Sequence, residues 1–412
     1  MTFYSDPSFF ILALVLAIPA VICGFCEKSL KTYGFVVSIG FLILLFGADI
    51  QGALAFILFF VLATVLTLWV QRLFGARPTK ADESVAERAK PEPHPHAVAW
   101  YRVALVVMTL PLVLAKVMEV FESNLFGFIG MSYITFKAIQ VLIEVRDGLI
   151  KDMRITDYWY FLLFFPVFTS GPITRSRDFI AQANKPLARS EYASLLVSGC
   201  LWFFKGVMYT FLLAAICQWL LWFVPSAIGA QGALAASASA ITEAFFYGLY
   251  LFFDFAGYSF MAMGLGACLG IRIPTNFRAP FRSIDIKDFW NRWHITLSFW
   301  LRDYVFMRMS KALIKRKVFA SRTTTACVGF LSEMTLMGAW HGLTPSFIAY
   351  GVYHGCLLAL CELFQKKSKF YKKHKKKRWF RVGSWAITMV AVFFGFALFS
   401  NQVYEGFFGG VI

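Results

Sequence analysis

The sequence predicts an all-α polytopic membrane protein, and three observations predict it. Hydrophobic residues make up 59% of the 412 and charged residues 15%, with a mean hydropathy of +0.64, outside the usual range of soluble globular chains. Ten apolar windows approach the ~20 helical residues needed to cross a bilayer core: 8–25, 33–49, 52–72, 99–120, 124–145, 192–223, 238–268, 323–342, 346–364 and 383–402. Basic residues fall in short blocks between these windows, as retention of Lys and Arg on the cytoplasmic side demands. That placement explains the net charge of +17 without invoking nucleic acid.

Taken in order, residues 1–72 read as N-terminal helices. Met1–Pro7 carries no basic residue and no small-residue cleavage site follows the first window, so the first helix is expected to remain as a span rather than leave as a signal peptide. The "CGFC" at Cys23–Cys26 ends that window. A redox motif would open a helix after a strand, so these thiols, like the other six cysteines, read as small hydrophobes. Residues 73–98 read as a cytoplasmic linker, because "FGARPTKADESVAERAKPEPHPHAV" mixes prolines with both charges. His94 and His96 alternate with proline there and read as linker residues, not metal ligands. No metal site and no repeat of 20–50 residues is evident.

The expected core runs over 99–365, followed by a basic cytoplasmic loop at 366–381 and a C-terminal helix within 382–412. The windows 192–223 and 238–268 are long enough to be tilted, broken or double. Basic blocks at Arg72–Arg102, Arg146–Arg154, Arg175–Arg189, Arg302–Arg322 and Lys366–Arg381 are expected in the cytoplasm, which puts the N-terminus outside. "YWYFLLFFPVFTSGPI" (Tyr158–Ile173) has basic flanks on both sides, is only sixteen residues long and contains Pro166 and Gly171-Pro172. It is expected to enter the membrane and return, which requires protein or a polar cavity around it.

Ionisable residues inside apolar segments cost ~2.5–3.5 kcal/mol each on insertion scales, so each needs a reason. Lys116, Lys205 and Glu243 lie near window ends and read as snorkelling or paired groups. Lys137 and Glu333 are what a transporter would also show. Asp254 sits in "LFFDFAGYS" with Tyr258 one turn on; an interior hydrogen bond between helices is the plainer reading, direct chemistry the sharper one. His341 lies in "MGAWHG" between Gly338 and Gly342. A membrane histidine is often a satisfied interior group, yet an imidazole near its ordinary pKa of ~6.5 can act as a general base at neutral pH. His354 is a second such group that nothing distinguishes from packing.

The stretch "WNRWHITLSFWLRDYVFMR" (290–308) packs one histidine, three arginines and three tryptophans into nineteen positions. It follows Ser283, Asp285 and Asp288, which suit a helix N-terminus. Helical spacing places His294 and Ser298 on one face, and Leu301, Val305, Met309 and Leu313 in an apolar stripe beside Arg308, Lys311 and Lys315. The second half is expected to lie as an amphipathic helix at the cytoplasmic surface. A serine nucleophile at Ser298 ranks below direct transfer, since no carboxylate is spaced to orient His294.

With these pieces in hand, the chain resembles the membrane-bound O-acyltransferase family. The matching blocks are "SYITFKAIQVLIEVRDG" (132–148), "FFPVFTSGPITR" (164–175), "LFFDFAGYS" (251–259), "NFRAPFRSIDIKDFWNRWHITLSFWLRDYVFMR" (276–308), and "MGAWHG" with "AYGVYHG" (337–355). The long block is that of the bacterial branch, and "RDYVFMR" with the short chain favours D-alanyl transfer over alginate-type O-acetylation. The resemblance implies a helical body of about ten to eleven spans plus re-entrant segments, with cytoplasmic and extracellular funnels. Its near-invariant histidine falls on His341 and a second important one on His294. Asn291, Trp293, Ser298 and Asp254 are then expected to line or support the donor tunnel.

The resemblance further implies that the chain binds no cofactor of its own. Its donor is D-alanine as a thioester on the phosphopantetheine arm of a small acidic carrier protein, and its acceptor is teichoic acid or a membrane-anchored partner in a Gram-positive-type cell membrane. Arg302, Met307, Arg308, Ser310, Lys311, Ile314 and Lys315 are expected to form the carrier-docking face, since opposite potentials steer encounter. Two other readings stand beside this one: O-acetylation of an exported polysaccharide, which would use the same His341, and a transporter or flippase without bond chemistry. The windows show no inverted halves with matched broken helices, which ranks transport last.

Overall fold

The computed structural model describes residues 3–74, 96–121, 126–228 and 233–401. Among these residues the regular structure is helical throughout. The chain divides into two compact units, Met1–Gly199 with Gly264–Ile273, and Cys200–Met263 with Pro274–Ile412.

The first unit opens with α1 (Pro7–Phe25), capped by Asp6, whose carboxylate accepts from the Ser8 N–H at 2.9 Å. Then come α2 (Lys31–Phe46), α3 (Ile50–Phe74), α4 (Ala97–Val120) and α5 (Met131–Arg146). His96 is the cap residue of α4; His94 and most of the expected linker lie outside the described residues. Cys23 and Cys26 are free thiols.

The segment expected to be re-entrant forms α6 (Ile155–Leu163), a 3-10 turn over Phe165–Val167, and an irregular run to α7 (Ser176–Ala183). Nine residues of helix span only about 13 Å against a ~30 Å bilayer core, so α6 does not cross. Its polar backbone is met by protein. The Phe165 N–H donates to Ser38 Oγ at 3.3 Å and Tyr4 Oη to the Pro166 carbonyl at 3.0 Å, while Phe165 stacks on Phe41 at 4.2 Å. Irregular backbone among apolar helices persists only when satisfied in this way.

The chain then runs from α8 (Arg189–Val207) through a π turn (Met208–Ala214) into α9 (Ala215–Ile228), and on to α10 (Ala233–Cys268). These are the two long windows. The first runs as one helical stretch of 40 residues with the π turn inside it, and the second is continuous over 36 residues. In the second unit follow α11 (Ile286–Trp290), α12 (Ile295–Leu301), a π turn (Arg302–Phe306), α13 (Met307–Lys315), α14 (Arg322–His341), α15 (Pro345–Lys367), α16 (Lys369–His374) and α17 (Arg378–Phe399).

Among the described residues seven helical stretches are long and apolar enough to cross a membrane, fewer than the ten windows. The other three correspond to α2, α5 and α14. The first two are 16 residues long, about 24 Å. α14 has the length but carries Arg322, Glu333 and several threonines. Apolar windows measure hydrophobicity alone; a helix that buries polar groups against its neighbours reads as less apolar than one that faces lipid.

Candidate active site

The residues singled out around His294 and His341 belong to the second unit. α14 and α15 form a hairpin whose backbones meet. A Cβ on Gly338 would collide with the Phe347 carbonyl and with Gly351, and a Cβ on Gly351 with the Met334 carbonyl. The glycines beside His341 therefore admit a helix rather than a ligand at Gly338, the usual use of small residues between membrane helices. Gly342 faces the Phe347 ring. This close crossing fixes His341 as the last residue of α14, half-buried, with its ring edge-on to Phe399 at 5.0 Å and against Trp340 at 4.6 Å.

His294 arrives from the other side of Trp340. It is 4% exposed and sits at the cap of α12 with φ +42°, in the left-handed region that non-glycine residues seldom occupy. Its ring stands edge-on to Phe255 at 4.6 Å and lies 6.4 Å from the Trp340 ring. Among the described residues its Nε2 has no hydrogen-bond partner.

The strained turn is held by Asn276, which the motif reading passed over. Asn276 is fully buried. Its Oδ1 accepts from Thr296 Oγ1 at 2.6 Å, its Nδ2 donates to Ser259 Oγ on α10 at 3.1 Å, and its carbonyl accepts from the Ile295 N–H at 2.9 Å. One amide thus ties the first turn of α12 to α10. A buried Asn before a helix is the only trace of this in the sequence, and it does not reveal which partners lie across the fold.

Of the remaining expected residues, Trp293 is buried against Phe289 and Phe396, and Asn291 is exposed. Ser298 Oγ donates to the Trp293 carbonyl at 3.3 Å, so its hydroxyl is committed to backbone and makes no hydrogen bond to His294. Asp254 joins two helices through its backbone, whose carbonyl accepts from Thr210 Oγ1 at 3.5 Å. Asp285 caps α11 and accepts from the Asp288 N–H at 2.8 Å, as its position suggests. His354 is fully buried between Tyr350 at 4.6 Å and Trp290 at 5.2 Å; Tyr350 also lies 6.4 Å from His341. Neither His354 nitrogen has a partner among the described residues.

The basic stretch divides by face. Phe306 stacks on Phe330 of α14 at 4.8 Å, and Ser310 lies beside Gly329, so both face α14. Met307, Lys311, Ile314 and Lys315 are exposed together, with Met307 55% and Ile314 47% open. Arg308 is half-buried over the Tyr304 ring, and the exposed Arg302 pairs with Asp303 at 2.9 Å. Among the described residues no group of three or more His, Cys, Asp or Glu is placed to hold a metal ion.

An imidazole enclosed by aromatic rings, with a second imidazole across Trp340, is a group able to accept a proton from a hydroxyl. The comparisons with known proteins agree with that chemistry. The chain is 37% identical to the teichoic acid D-alanyltransferase of Bacillus subtilis (strain 168) over 98% of its length and 99% of the relative's. It is 34% identical to the teichoic acid D-alanyltransferase of Streptococcus thermophilus over 97% and 94%. A probable alginate O-acetylase of Pseudomonas fluorescens is 30% identical over 84% of this chain and 64% of its own. Residues 35–401 match the membrane-bound O-acyltransferase family, and this multi-pass membrane acyltransferase belongs to it.

Proposed function

We propose that the protein transfers D-alanine from the phosphopantetheine thioester of an acidic carrier protein to a hydroxyl acceptor, for D-alanylation of teichoic acid in the cell envelope. The observation that carries this reading is the convergence of His341 and His294 on Trp340, in a chain that aligns end to end with D-alanyltransferases and only in part with alginate O-acetylases.

In this reading His341 accepts the proton of the acceptor hydroxyl as its oxygen attacks the thioester carbonyl. The tetrahedral oxyanion collapses, the C–S bond breaks, and the thiolate of the arm takes the proton back from His341. Its place at the C-terminal end of α14 suits the positive charge that His341 carries in between. His294 orients the arm, and the aromatic lining keeps water from the thioester. The carrier docks on Met307, Lys311, Ile314 and Lys315 in the cytoplasm, with the N-terminus outside and the acceptor reaching the site from the outer face.

The test is donor choice. Purified protein in vesicles is given D-alanyl-loaded carrier or the same carrier loaded with acetate, and esters are read by mass spectrometry. D-alanyl ester formation alone supports the reading; acetyl ester formation alone replaces it with O-acetylation. Movement of the group across the vesicle without an ester, unchanged in His341→Ala, replaces it with transport.

A further inference from the structure

The basic run 366–381 carries ten Lys and Arg residues and no acidic one, and the chemistry above leaves it unused. It borders a cavity of about 440 Å³ formed by the C-terminal half of α15, by α16, and by the N-terminal half of α17. That volume lies within the ~300–1,000 Å³ of ligand sites.

The cavity has two kinds of wall. Along α15 and α17 it is apolar, from Leu357, Leu360, Phe364, Ile387 and Ala391. Leu360 is 61% and Ile387 73% exposed, and both stand on helices long and apolar enough to cross a membrane, so this side opens where acyl chains lie. At its other end Phe370, Tyr371 and Phe380 pack on one another, and Lys375 and Arg381 stand at the rim, both exposed.

Among the described residues these charges are not cancelled. Neither Lys375 nor Arg381 has an ion-pair partner among the described residues, and Lys375 Nζ lies 5.8 Å over the Tyr371 ring. The one carboxylate in the lining, Asp285, is committed, accepting at Oδ1 from the Asp288 N–H and at Oδ2 from Gln365 Nε2 at 3.1 Å. Nearby Lys287 and Glu362 pair with each other. An occupant therefore needs an anionic group at the basic end and a hydrocarbon tail toward the bilayer. A soluble anion would leave the apolar walls uncovered, and a folded acidic protein would not fill the space between two helices. Basic pockets beside spanning helices are the usual seat of acidic headgroups.

We propose that this cavity binds an anionic phospholipid, with one acyl chain between α15 and α17 and the phosphate against Lys375 and Arg381. The lipid would tie the basic segment to α15, whose preceding turns carry His354 and Tyr350.

Native mass spectrometry of the full chain with added phosphatidylglycerol or phosphatidylcholine of identical chains tests this. Phosphatidylglycerol is expected to be retained about tenfold more tightly. Lys375→Gln with Arg381→Gln should bring the preference to within about twofold, whereas Lys372→Gln with Lys373→Gln, equal in charge but outside the lining, should leave it. Ala391→Phe, which fills the cavity, should reduce retention of both lipids; Leu360→Gln, at an exposed wall position, should do so without touching the core. Equal loss in the Lys372/Lys373 variant would show diffuse attraction instead of a site. Undiminished retention in both Ala391→Phe and Leu360→Gln would place the lipid elsewhere, and either result overturns the proposal.

Discussion

Both units bury ionisable side chains, and among the described residues the buried charges of the first are met by partners while the buried imidazoles of the second are not. In the first unit Lys137 is 2% exposed, yet its Nζ donates to the Phe161 carbonyl at 2.9 Å and lies 5.1 Å over the same residue's ring. Glu144, 1% exposed, accepts from Ser176 and has Arg177 Nε at 3.7 Å. Three neutral groups of this unit, the Gln140 amide, Tyr160 Oη and Thr174 Oγ1, lack a partner among the described residues. In the second unit, His294 Nε2, both nitrogens of His354 and the Trp290 indole N–H have none among the described residues. A buried polar group left unsatisfied is costly, so a buried charge that has its partners is accounted for by the architecture alone. Lys137, which on sequence looks as functional as any histidine, falls on the architectural side.

The comparison breaks most visibly at His341. His341→Ala should lower ester formation by about 10²–10⁴-fold, the range for loss of a general base, while thermal unfolding and carrier binding stay as in the parent. Transfer that persists at the parent rate would remove His341 from the chemistry.

Lys137→Ala sharpens it from the other unit. The substitution leaves the Phe161 carbonyl without its donor and opens a cavity, so stability should fall by about 2–4 kcal/mol in a denaturation series. Turnover of the fraction that remains folded should be unchanged; a lost turnover in stable protein would move Lys137 into the functional set.

Asn276→Ala asks how tightly the second unit aims its imidazole. Freed from Asn276, the turn at His294 can relax, and kcat should fall by about 10–10²-fold, as small misplacements of reacting groups do, with KM for the carrier unchanged. A raised KM at normal kcat would instead make Asn276 a scaffold for docking. The smallest effect is expected at the surface. Lys311→Glu with Lys315→Glu should slow carrier association by about tenfold at low salt, a difference that shrinks as ionic strength rises. Association indifferent to both charge and salt would exclude this face.

The outcome at each element follows from what kind of information a sequence holds. Apolar runs of spanning length, basic blocks between them and the Pro166 break are local properties, and they gave the helical membrane class and the short α6. The cap at Asp285 was legible for the same reason, since a cap depends on neighbours three residues away. Helical periodicity brought His294 and Ser298 to one face, but Ser298 spends its hydroxyl on the Trp293 carbonyl. The small residue at Gly338 allows either another backbone or a thin ligand to approach, and only the fold shows that a backbone does, because the partner comes from α15.

By itself, then, the sequence determined the solvent of this protein, the class of its elements and the residue types able to do acyl transfer, all of which depend on composition and on spacing along a helix. Only the tertiary structure decided which polar groups are satisfied, that Asn276 holds the turn of His294, and that Trp340 lies against both imidazoles. Those facts depend on side chains separated by tens of residues meeting across packed helices, and no period in the chain encodes such a meeting.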